Sequence, residues 1–388
     1  MTTAHQLRLY TRTGTLTHVL TDFLSLAYAR RVNEVGFCQF TISGSHSAVA
    51  SLDPDAAPVV EVWRKDYASA SDWRCDFAGR IRYRQQRTDA NGIDSCTLRA
   101  VDGIGLLALC TVAYTAQTAS RNTWTATPAE TIAKQIVTYN ATSAGTVADG
   151  REVAVSLSGV TVEADAAGGS TITTSCAWQN VLAALRGITA VGNGDFDMIR
   201  TAPAVWEFRW YSSQRGTDRS TTVVFALNYG NMAQPQLTED HTNEPTVAIV
   251  GGQGVEGART VAIVTGPNFA LDANAAEIFI NASHLSDATE LIAVGAARLN
   301  AERAVEDIQF EALQTPGSRY AEHYDLGDLV AVRYLTYSAI KQITAITVEV
   351  TGDGESITID TSAISTVYHI AAAQAVTVTD SVVGVSVV

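Results

Sequence analysis

Three consecutive pieces of sequence decide the fold class: Trp73-Arg-Cys-Asp-Phe-Ala-Gly-Arg-Ile-Arg-Tyr-Arg84, the turn Asp89-Ala-Asn-Gly92, and Ser95-Cys-Thr-Leu-Arg-Ala-Val101. In the first piece Phe77 and Ile81 alternate with polar neighbours, which is the two-residue period of a half-buried strand. Asn-Gly between two such runs is a strong signal for a β-hairpin. The stretch therefore predicts strand, turn and strand, as in a β-sandwich or barrel.

Short runs of the same kind recur on both sides of this hairpin. They lie at residues 5–10, 16–23, 36–42, 58–64, 222–227, 245–250, 259–264, 307–313, 329–334, 340–350 and 356–359. Residues 371–388 carry almost no charge, which predicts either a strand that pairs with a partner or an aggregation-prone end. The chain as a whole is predicted to be rich in β-structure.

Helical segments interrupt the strands in three places. Thr127-Pro-Ala-Glu130 predicts a helix start in which Thr127 caps, Pro128 takes the first position and Glu130 closes a capping box. A second helix is predicted from about Ser175, because apolar residues recur there at helical spacing: Trp178, Val181, Leu182, Leu185 and Ile188. A third helix is predicted over residues 286–305.

These elements predict a multi-domain, β-rich α+β protein. The boundaries are placed around a first β domain at 1–102, a helical α+β insert at 103–220, a second β domain with a helix at 221–318, and a terminal β domain and tail at 319–388. A chain of 388 residues has room for these parts, since domains average roughly 100–200 residues.

The chain is acidic and poor in lysine. Its net charge is −14, and its only lysines are Lys65, Lys134 and Lys341. Duplex binding depends on cationic side chains that neutralise phosphates, so this composition argues against a protein that binds nucleic acid tightly. Solubility alone also explains the charge.

No apolar run approaches the roughly 20 residues of a membrane span, and the N-terminus lacks a signal-peptide core. We expect no membrane anchor and synthesis in a cytoplasm.

One motif suggests a cofactor. Gly252-Gln-Gly-Val-Glu-Gly257 matches the GxGxxG fingerprint, follows a strand-like run and precedes Asp272 at about the required distance. The fingerprint needs a helix to begin at the third glycine, so that its N-terminus meets the pyrophosphate. Residues 259–264 are β-branched instead, and we predict a hairpin that binds no dinucleotide.

Carboxylates beside turns are the other candidates. Asp89, Asn91 and Asp94 resemble the start of a calcium loop, but Ala100 stands where the bidentate Glu is needed, so a plain hairpin turn is predicted. Four further carboxylates are predicted to be solvated turn residues: Asp195, Asp197, Asp353 and Glu355.

The usual signatures of catalysis are missing. No HExxH, GxSxG or SxxK motif occurs. The histidines are scattered, and the five cysteines are odd in number without CxxC spacing, which supports neither a disulfide framework nor a zinc site. We predict no catalytic, cofactor-binding or metal-ligating residue.

Five segments together share the pattern of a known family. They are residues 7–37, 79–92, 215–232, 250–259 and 324–330, the last being a turn of the kind that leads into a strand of hub barrels. In these segments the chain resembles tail hub proteins of siphophages that infect actinobacteria and relatives. Those hubs are akin to the baseplate hub of contractile tails and to the N-terminal part of tail-associated lysins.

The resemblance implies a structural role in a ring. It implies that residues 1–102 and 221–318 are tube-like β-barrel domains, so that three subunits present a pseudo-sixfold ring. The implied partners are the chain itself as a homotrimer, the distal tail protein, the tape measure protein, and tail fibre or spike proteins. The ring would lie at the virion tail tip, and DNA would pass without specific binding through a pore whose wall is expected to be negative or neutral.

Two other functions stay open. A tail-associated cell-wall hydrolase would need a site that the motifs do not provide. Lysin-bearing relatives carry their enzyme module after the hub, and we expect no such module here. A receptor- or carbohydrate-binding module would use exposed aromatic residues, whereas Trp206, Phe208 and Trp210 alternate as core residues do. The resemblance implies that the protein is not an enzyme and uses no cofactor.

Overall fold

The computed structural model describes residues 3–68, 72–113, 122–144, 157, 159–176, 178–352, 354–362 and 373–376. The strands are β1 Thr3–Tyr10, β2 Leu16–Leu20, β3 Ser25–Arg31, β4 Phe37–Ser43, β5 Val59–Asp66, β6 Arg74–Thr88, β7 Asp94–Val101, β8 Asn122–Pro128, β9 Val160–Val162, β10 Thr171–Cys176, β11 Gly194–Ala202, β12 Val205–Ser212, β13 Val224–Ala226, β14 Met232–Asp240, β15 Val247–Gly251, β16 Val261–Thr265, β17 Glu277–Asn281, β18 Val305–Ala312, β19 Leu329–Tyr334, β20 Tyr337–Thr351, β21 Gly354–Ser362 and β22 Ala373–Val376. The helices are α1 Gly103–Leu107, α2 Ala129–Ala141, α3 Val181–Gly192 and α4 Ala288–Ala301. The predicted β-rich α+β class is confirmed.

The described residues fall into two compact units. Residues up to Leu237 together with 308–362 form the first unit, and Thr238–Asp307 together with β22 form the second. The predicted domain boundaries at residues 102, 220 and 318 stay a prediction. No helix in the described part of the chain is long and apolar enough to cross a membrane.

One thirteen-stranded sheet organises the first unit. Its strands follow the order β14-β18-β21-β20-β3-β4-β7-β6-β5-β1-β2, with β19 and β13 added beside β20. The β6–β7 pair is the hairpin that the opening stretch of sequence predicts. At the antiparallel junction of β3 and β20, Arg31 pairs with Ala345 and Leu26 with Val350. Distant parts of the chain thus share one sheet, which over the described residues is an open path rather than two separately closed barrels.

One face of this sheet covers the larger core of the first unit, and we call it the inner face. Alternating side chains from strands of both halves are buried there, among them Leu7, Tyr28, Phe40, Leu98, Phe310, Ile346 and Ile359. Each large apolar side chain buried in this way contributes roughly 1.5–3 kcal/mol. The alternation that predicts the strands is therefore also what holds the sheet in place.

The first unit has a second core around α2 and α3. Ile132 and Leu185 from these helices are fully buried in one cluster with side chains of β11 and β12. Trp206, Phe208 and Trp210 are buried in the same cluster, which confirms that this aromatic stripe is core.

The start of α2 differs from the prediction. Pro128 is the N-cap residue, and no side chain caps the helix. Thr127 lies in β8, which pairs with β10 as far as Pro128 and so keeps Thr127 extended. Glu130 accepts a hydrogen bond from the backbone N–H of Gly168 at 2.6 Å instead of closing a capping box. The predicted capping box was wrong because the pairing of β8 with β10 holds Thr127, the residue that would cap, in a strand.

The start of α3 is also later than predicted. Asn180 is its N-cap, and the side-chain oxygen accepts two backbone N–H groups of the first turn. Ser175 lies in β10, and Trp178 is 61% exposed with a φ of 56°, so neither belongs to the helix. The apolar positions of the predicted stripe from Val181 to Ile188 are buried as expected.

The second unit is a small α/β body. β15 pairs antiparallel with β16 and parallel with β17, and α4 contributes Leu291 and Leu299 to a core with Val250 and Val264. β22 pairs with β16 of the same chain, so the described part of the predicted tail is a strand. The rest of that tail lies outside the described residues.

Candidate functional site

The outer face of the main sheet runs across seven strands of the first unit. We use this name for side chains on β6, β7, β4, β3, β20, β21 and β18 that point away from the larger core. One row of directly paired residues crosses five strands: Tyr83, Arg99, Gln39, Ala27 and Glu349. A parallel row crosses four: Arg31, Ala345, Asp360 and Gln309. The outer face is therefore continuous across the β3–β20 junction.

The half of the outer face on β6, β7, β4 and β3 is basic, and we call it the basic half. Its exposed charged side chains in register are Arg31, Arg87 and Arg99. The guanidinium carbon of Arg99 lies 4.8 Å from the ring centre of Tyr83, and its Nε donates to Gln39 at 2.7 Å. Arg31 lies in the same way 5.6 Å from the ring of a neighbouring phenylalanine, Phe37. Stacking and hydrogen bonding thus hold two of the three guanidinium groups in place.

The half on β20, β21 and β18 is acidic, and we call it the acidic half. It carries Glu311, Glu349 and Asp360. Glu311 accepts a hydrogen bond from Ser356 at 3.2 Å, and Asp360 accepts one from Gln309 at 2.6 Å. These partners are neutral, so the negative charges stay uncompensated within the acidic half.

A buried ionic cluster holds β3 and β6 together behind this face. Asp76 on β6 accepts hydrogen bonds from the hydroxyls of Tyr28 at 2.6 Å and Tyr320 at 2.8 Å. Arg74 donates to the same carboxylate. Burial alone would raise the pKa of Asp76, but Arg74 and Arg30 outweigh burial and hold that pKa below its usual value. The carboxylate is a fixed anion and not a proton donor.

Asp325 extends the cluster to the turn before β19. It accepts from Arg30 at 2.7 Å and from Arg74 at 3.1 Å. Burial opposes ionisation, yet the two arginines hold the pKa of Asp325 far below its usual range. The same arginines therefore join β3 and β6 to a segment about 250–300 residues away in the chain.

Glu355 is the carboxylate of a second buried ion pair. Arg64 binds it through two hydrogen bonds of 2.8 Å, and His5 lies 3.0 Å away. Burial would raise the pKa of Glu355, but Arg64 and His5 lower it. The prediction of a solvated turn carboxylate was wrong here, because β1 and β5 bring His5 and Arg64 to the start of β21. Asp353, predicted with it, lies outside the described residues.

Asp195 and Asp197 were also predicted to be solvated, and this was wrong. Asp195 accepts from the side chains of Asn33 at 2.7 Å and Gln342 at 2.9 Å. Arg215 donates its backbone N–H to Asp195 and its Nε to Asp197, both at 2.7 Å. The two aspartates tie β11 to segments near residues 33, 215 and 342, which no local pattern reveals.

The turn at Gly327 packs against Arg215, which takes part in the hydrogen bonds of Asp195 and Asp197. Gly327 has a φ of 89°, and a Cβ there would lie 2.6 Å from the carbonyl oxygen of Arg215. Leu326 and Leu329 on either side are 2% and 8% exposed. The interpretation of this segment as a turn into a buried strand is confirmed.

A cleft of about 190 Å³ opens beside these clusters, and Asp102, Asp197 and Trp206 are among its lining residues. Burial raises the pKa of Asp102 to about 7, despite hydrogen bonds from the N–H groups of Gly105 and Gly36. Those two bonds, of 2.9 and 2.8 Å, occupy both carboxylate oxygens. Asp102 therefore works as a helix cap at α1.

The two motifs that suggested ligands form turns. The GxGxxG segment joins β15 to β16 in an antiparallel hairpin, as predicted, and the third glycine lies in a three-residue 3-10 helix, Glu256–Ala258, that is followed by a strand. Asp89 accepts the backbone N–H groups of Asn91 and Ile93 at 2.8 and 2.9 Å, which is an Asx turn within the predicted hairpin. Among the described residues, no three His, Cys, Asp or Glu side chains are grouped to hold a metal ion.

Sequence reasoning missed the buried arginines and the division of charge on the outer face. An arginine two residues before an aspartate in a predicted strand, as at Arg74 and Asp76, is a usable signal for a buried ion pair. The division of charge needs the strand order, because Arg99 and Glu349 meet in one row only through the pairing of β3 with β20.

One family model and several solved structures match the chain. The family model described as Siphovirus ReqiPepy6 Gp37-like protein matches residues 6–360. No curated protein matches.

The solved structures that are similar include tail proteins of nearly the same length. The 43 kDa tail protein of prophage MuSo2 from Shewanella oneidensis is 11% identical, with a TM-score of 0.58 over 94% of this chain and 99% of that one. The tail protein from Neisseria meningitidis MC58 is 12% identical, with a TM-score of 0.55 over 93% and 97%. Prophage tail protein gp18 from Listeria monocytogenes EGD-e is 11% identical, with a TM-score of 0.53 over 92% and 94%. At such identities the likeness is one of fold.

Proposed function

The chain belongs to the Siphovirus ReqiPepy6 Gp37-like protein family, and from this premise we propose that it is a structural hub subunit at the tail tip of a long-tailed bacteriophage. In this role it joins the tail tube to the host-attachment or spike apparatus below the distal tail protein. The observation that carries the proposal is the outer face, a continuous polar sheet surface of the kind that the wall of a conduit requires. Support also comes from the fold, which matches phage tail proteins over almost their whole length.

The working unit is proposed to be a homotrimer around the tail axis. Over the described residues, the main sheet ends in three edge strands, β2, β13 and β14, and unpaired strand edges must be covered or paired. Head-to-tail contacts close into a ring when the rotation between neighbours allows it. The number three comes from the family resemblance and not from these edges. The further partners are the distal tail protein, the tape measure protein and a fibre or spike protein.

The outer face is proposed to line the lumen. Its three arginines and three carboxylates sum to zero, which fits the expectation of a negative or neutral wall. A uniformly basic wall would hold DNA through release of counterions.

No catalytic step is proposed for this chain. The buried carboxylates accept hydrogen bonds from arginine, tyrosine and backbone donors. The pKa values of Asp76, Asp325 and Glu355 are lowered, which favours the ionised form. A zymogram on host peptidoglycan checks the hydrolase alternative: we expect no clearing, and clearing that Asp102→Asn abolishes would overturn this part of the proposal.

Imaging of the tail tip tests the role and the copy number together. We expect antibody against this chain to label only the tip of intact virions, and an averaged reconstruction to place three copies around the axis. Labelling along the tube would contradict the hub role. Six copies, or a single copy on the axis, would contradict the trimer.

A further inference from the structure

The charges of the outer face are sorted rather than mixed. Every exposed or half-buried charge in register on the basic half is an arginine, and every one on the acidic half is a carboxylate. Ordinary solvated surfaces intersperse the two signs. Within the described part of the chain, none of these six side chains forms an ion pair, although many other charges do. The six charges are therefore available to something that lies on the face.

We propose that the outer face is a weak contact surface for double-stranded DNA. The arginines of the basic half attract phosphates, and the carboxylates of the acidic half keep that attraction too weak to hold the duplex. This inference rests on the proposed function, because a conduit is what brings duplex DNA to this face. The ligand is the phosphate backbone of the duplex, which the outer face contacts regardless of the base sequence.

The basic half has the features of a phosphate contact. Arginine presents a planar fork of donors that fits phosphate oxygens, and stacking on an aromatic ring leaves that fork free. Arg99 is stacked on Tyr83 and held by Gln39, and Arg31 is stacked on Phe37. These two guanidinium groups are positioned in advance, so a phosphate does not have to order them.

The acidic half is close enough to act on the same duplex. Adjacent strands lie about 4.8 Å apart, so Arg31 and Asp360, two strands apart, are separated by about 10 Å, and Arg99 and Glu349 by about 14 Å. The Debye length is about 8 Å at physiological salt and about 30 Å at 0.01 M. The carboxylates therefore oppose binding strongly at low salt and still partly in the cell.

The width of the face also fits this use. Seven strands at about 4.8 Å spacing make a surface roughly 30 Å across. Duplex DNA carries one charge per about 1.7 Å of its axis, so a duplex that runs across the strands presents phosphates to both halves at once.

The test measures binding of a short fluorescent duplex to the full chain by anisotropy. Wild-type protein is compared with the triple variant Glu311→Gln, Glu349→Gln, Asp360→Asn. We expect the triple variant to bind at least about tenfold more tightly at low salt. Three arginine contacts predict a loss of about 40-fold in affinity between roughly 50 and 200 mM salt. Adding Arg31→Gln, Arg87→Gln and Arg99→Gln should abolish the gain.

A matched control separates local charge from net charge. The variant Asp55→Asn, Asp272→Asn, Glu322→Gln removes three exposed carboxylates elsewhere and changes the net charge by the same amount. If this control gains as much affinity, or if the acidic-half variant gains none, the proposal is overturned. Displacement of the duplex by poly-glutamate at equal charge concentration would assign the surface to an acidic protein and would also overturn it. Tail-tip imaging is independent of these results, so failure here leaves the hub role standing.

Discussion

Asp76 accepts hydrogen bonds from two tyrosines and an arginine in the interior of the first unit. Removing one partner of a buried ion pair leaves the others without compensation. We therefore expect Asp76→Asn to lower the free energy of unfolding by about 3–5 kcal/mol, as measured by urea denaturation. The exposed variant Asp55→Asn is the control and should change it by less than about 0.5 kcal/mol.

The pH dependence of stability follows from the same residue. The pKa of Asp76 lies below its ordinary value of 3.8, so its stabilising effect is present above pH 3.8 and is lost as the pH falls through the lower, folded-state pKa. Urea titrations at stepwise lower pH should show wild-type stability falling below about pH 4. In Asp76→Asn this decline should be shallower, and an equally steep decline would assign it to other groups.

Substitutions at Gly327 and Gly317 distinguish the cost of backbone strain from the cost of steric conflict. Gly317 also has a positive φ, of 92°, but has nothing within 4 Å of a Cβ, whereas Gly327 has the Arg215 carbonyl at 2.6 Å. We expect Gly317→Ala to cost about 1 kcal/mol and Gly327→Ala to cost clearly more, about 2–4 kcal/mol. Thermal melting of the two variants measures the difference, and equal melting temperatures would show that the close approach has no cost.

At this scale the sequence predicts local geometry and misses distant partners. The turn at Gly327 could be predicted because glycine beside aspartate before an apolar run is a local signal. The burial of Glu355 could not, because its partner Arg64 is 291 residues away.

Among the elements, the helix starts show how a strand overrides a capping signal. Asn180 caps α3 and also donates to the carbonyl of Ala108 at 2.7 Å, whereas Thr127 is held in β8. We expect Asn180→Ala to lower the free energy of unfolding by about 1–2 kcal/mol, and Thr127→Ala to change it by less than about 0.5 kcal/mol. Urea denaturation of both variants decides this; the reverse order would restore the capping box predicted from sequence.

The short helix α1 gives stability a second pH dependence of opposite sign. The pKa of Asp102 is raised to about 7 from 3.8, so its favourable contribution is complete below pH 3.8 and is lost as the pH rises through about 7. Asp102→Ser keeps a capping hydroxyl without a charge. Relative to this variant, wild-type protein should lose stability between pH 4.5 and 7.5 by urea denaturation. A constant difference between the two proteins would show that Asp102 does not titrate in that window.

For the whole molecule, the two units have separate cores. The two core clusters of the first unit draw on residues up to Met232 and from Ile308 onward, and that of the second unit on Ala248–Leu299. We expect a variant with residues 241–304 replaced by a short Gly/Ser linker to keep a β-rich, cooperatively melting first unit. Circular dichroism checks this, with Ile346→Ala as a probe that should cost about 2–5 kcal/mol in both backgrounds. A variant without a cooperative transition would show that the units depend on each other.

The class of fold could be predicted from alternation and turns, but the strand order could not. Each run of sequence specifies a strand and its buried side, while the choice of neighbour depends on side chains far away in the chain. The pairing of β3 with β20 is the clearest case, and the candidate site on the outer face exists only because of it.

This junction has a consequence for how the protein is made. Ribosomes synthesise about 5–20 residues per second, so β3 emerges from the ribosome roughly 15–60 seconds before β20. During that interval β3 lacks one of its two neighbours, and its free edge is open to other nascent chains. Contacts this far apart in sequence also slow folding, because a long loop must close first. Yield on expression should therefore depend on chaperones that shield strand edges during translation, more than the stability of the finished fold would suggest.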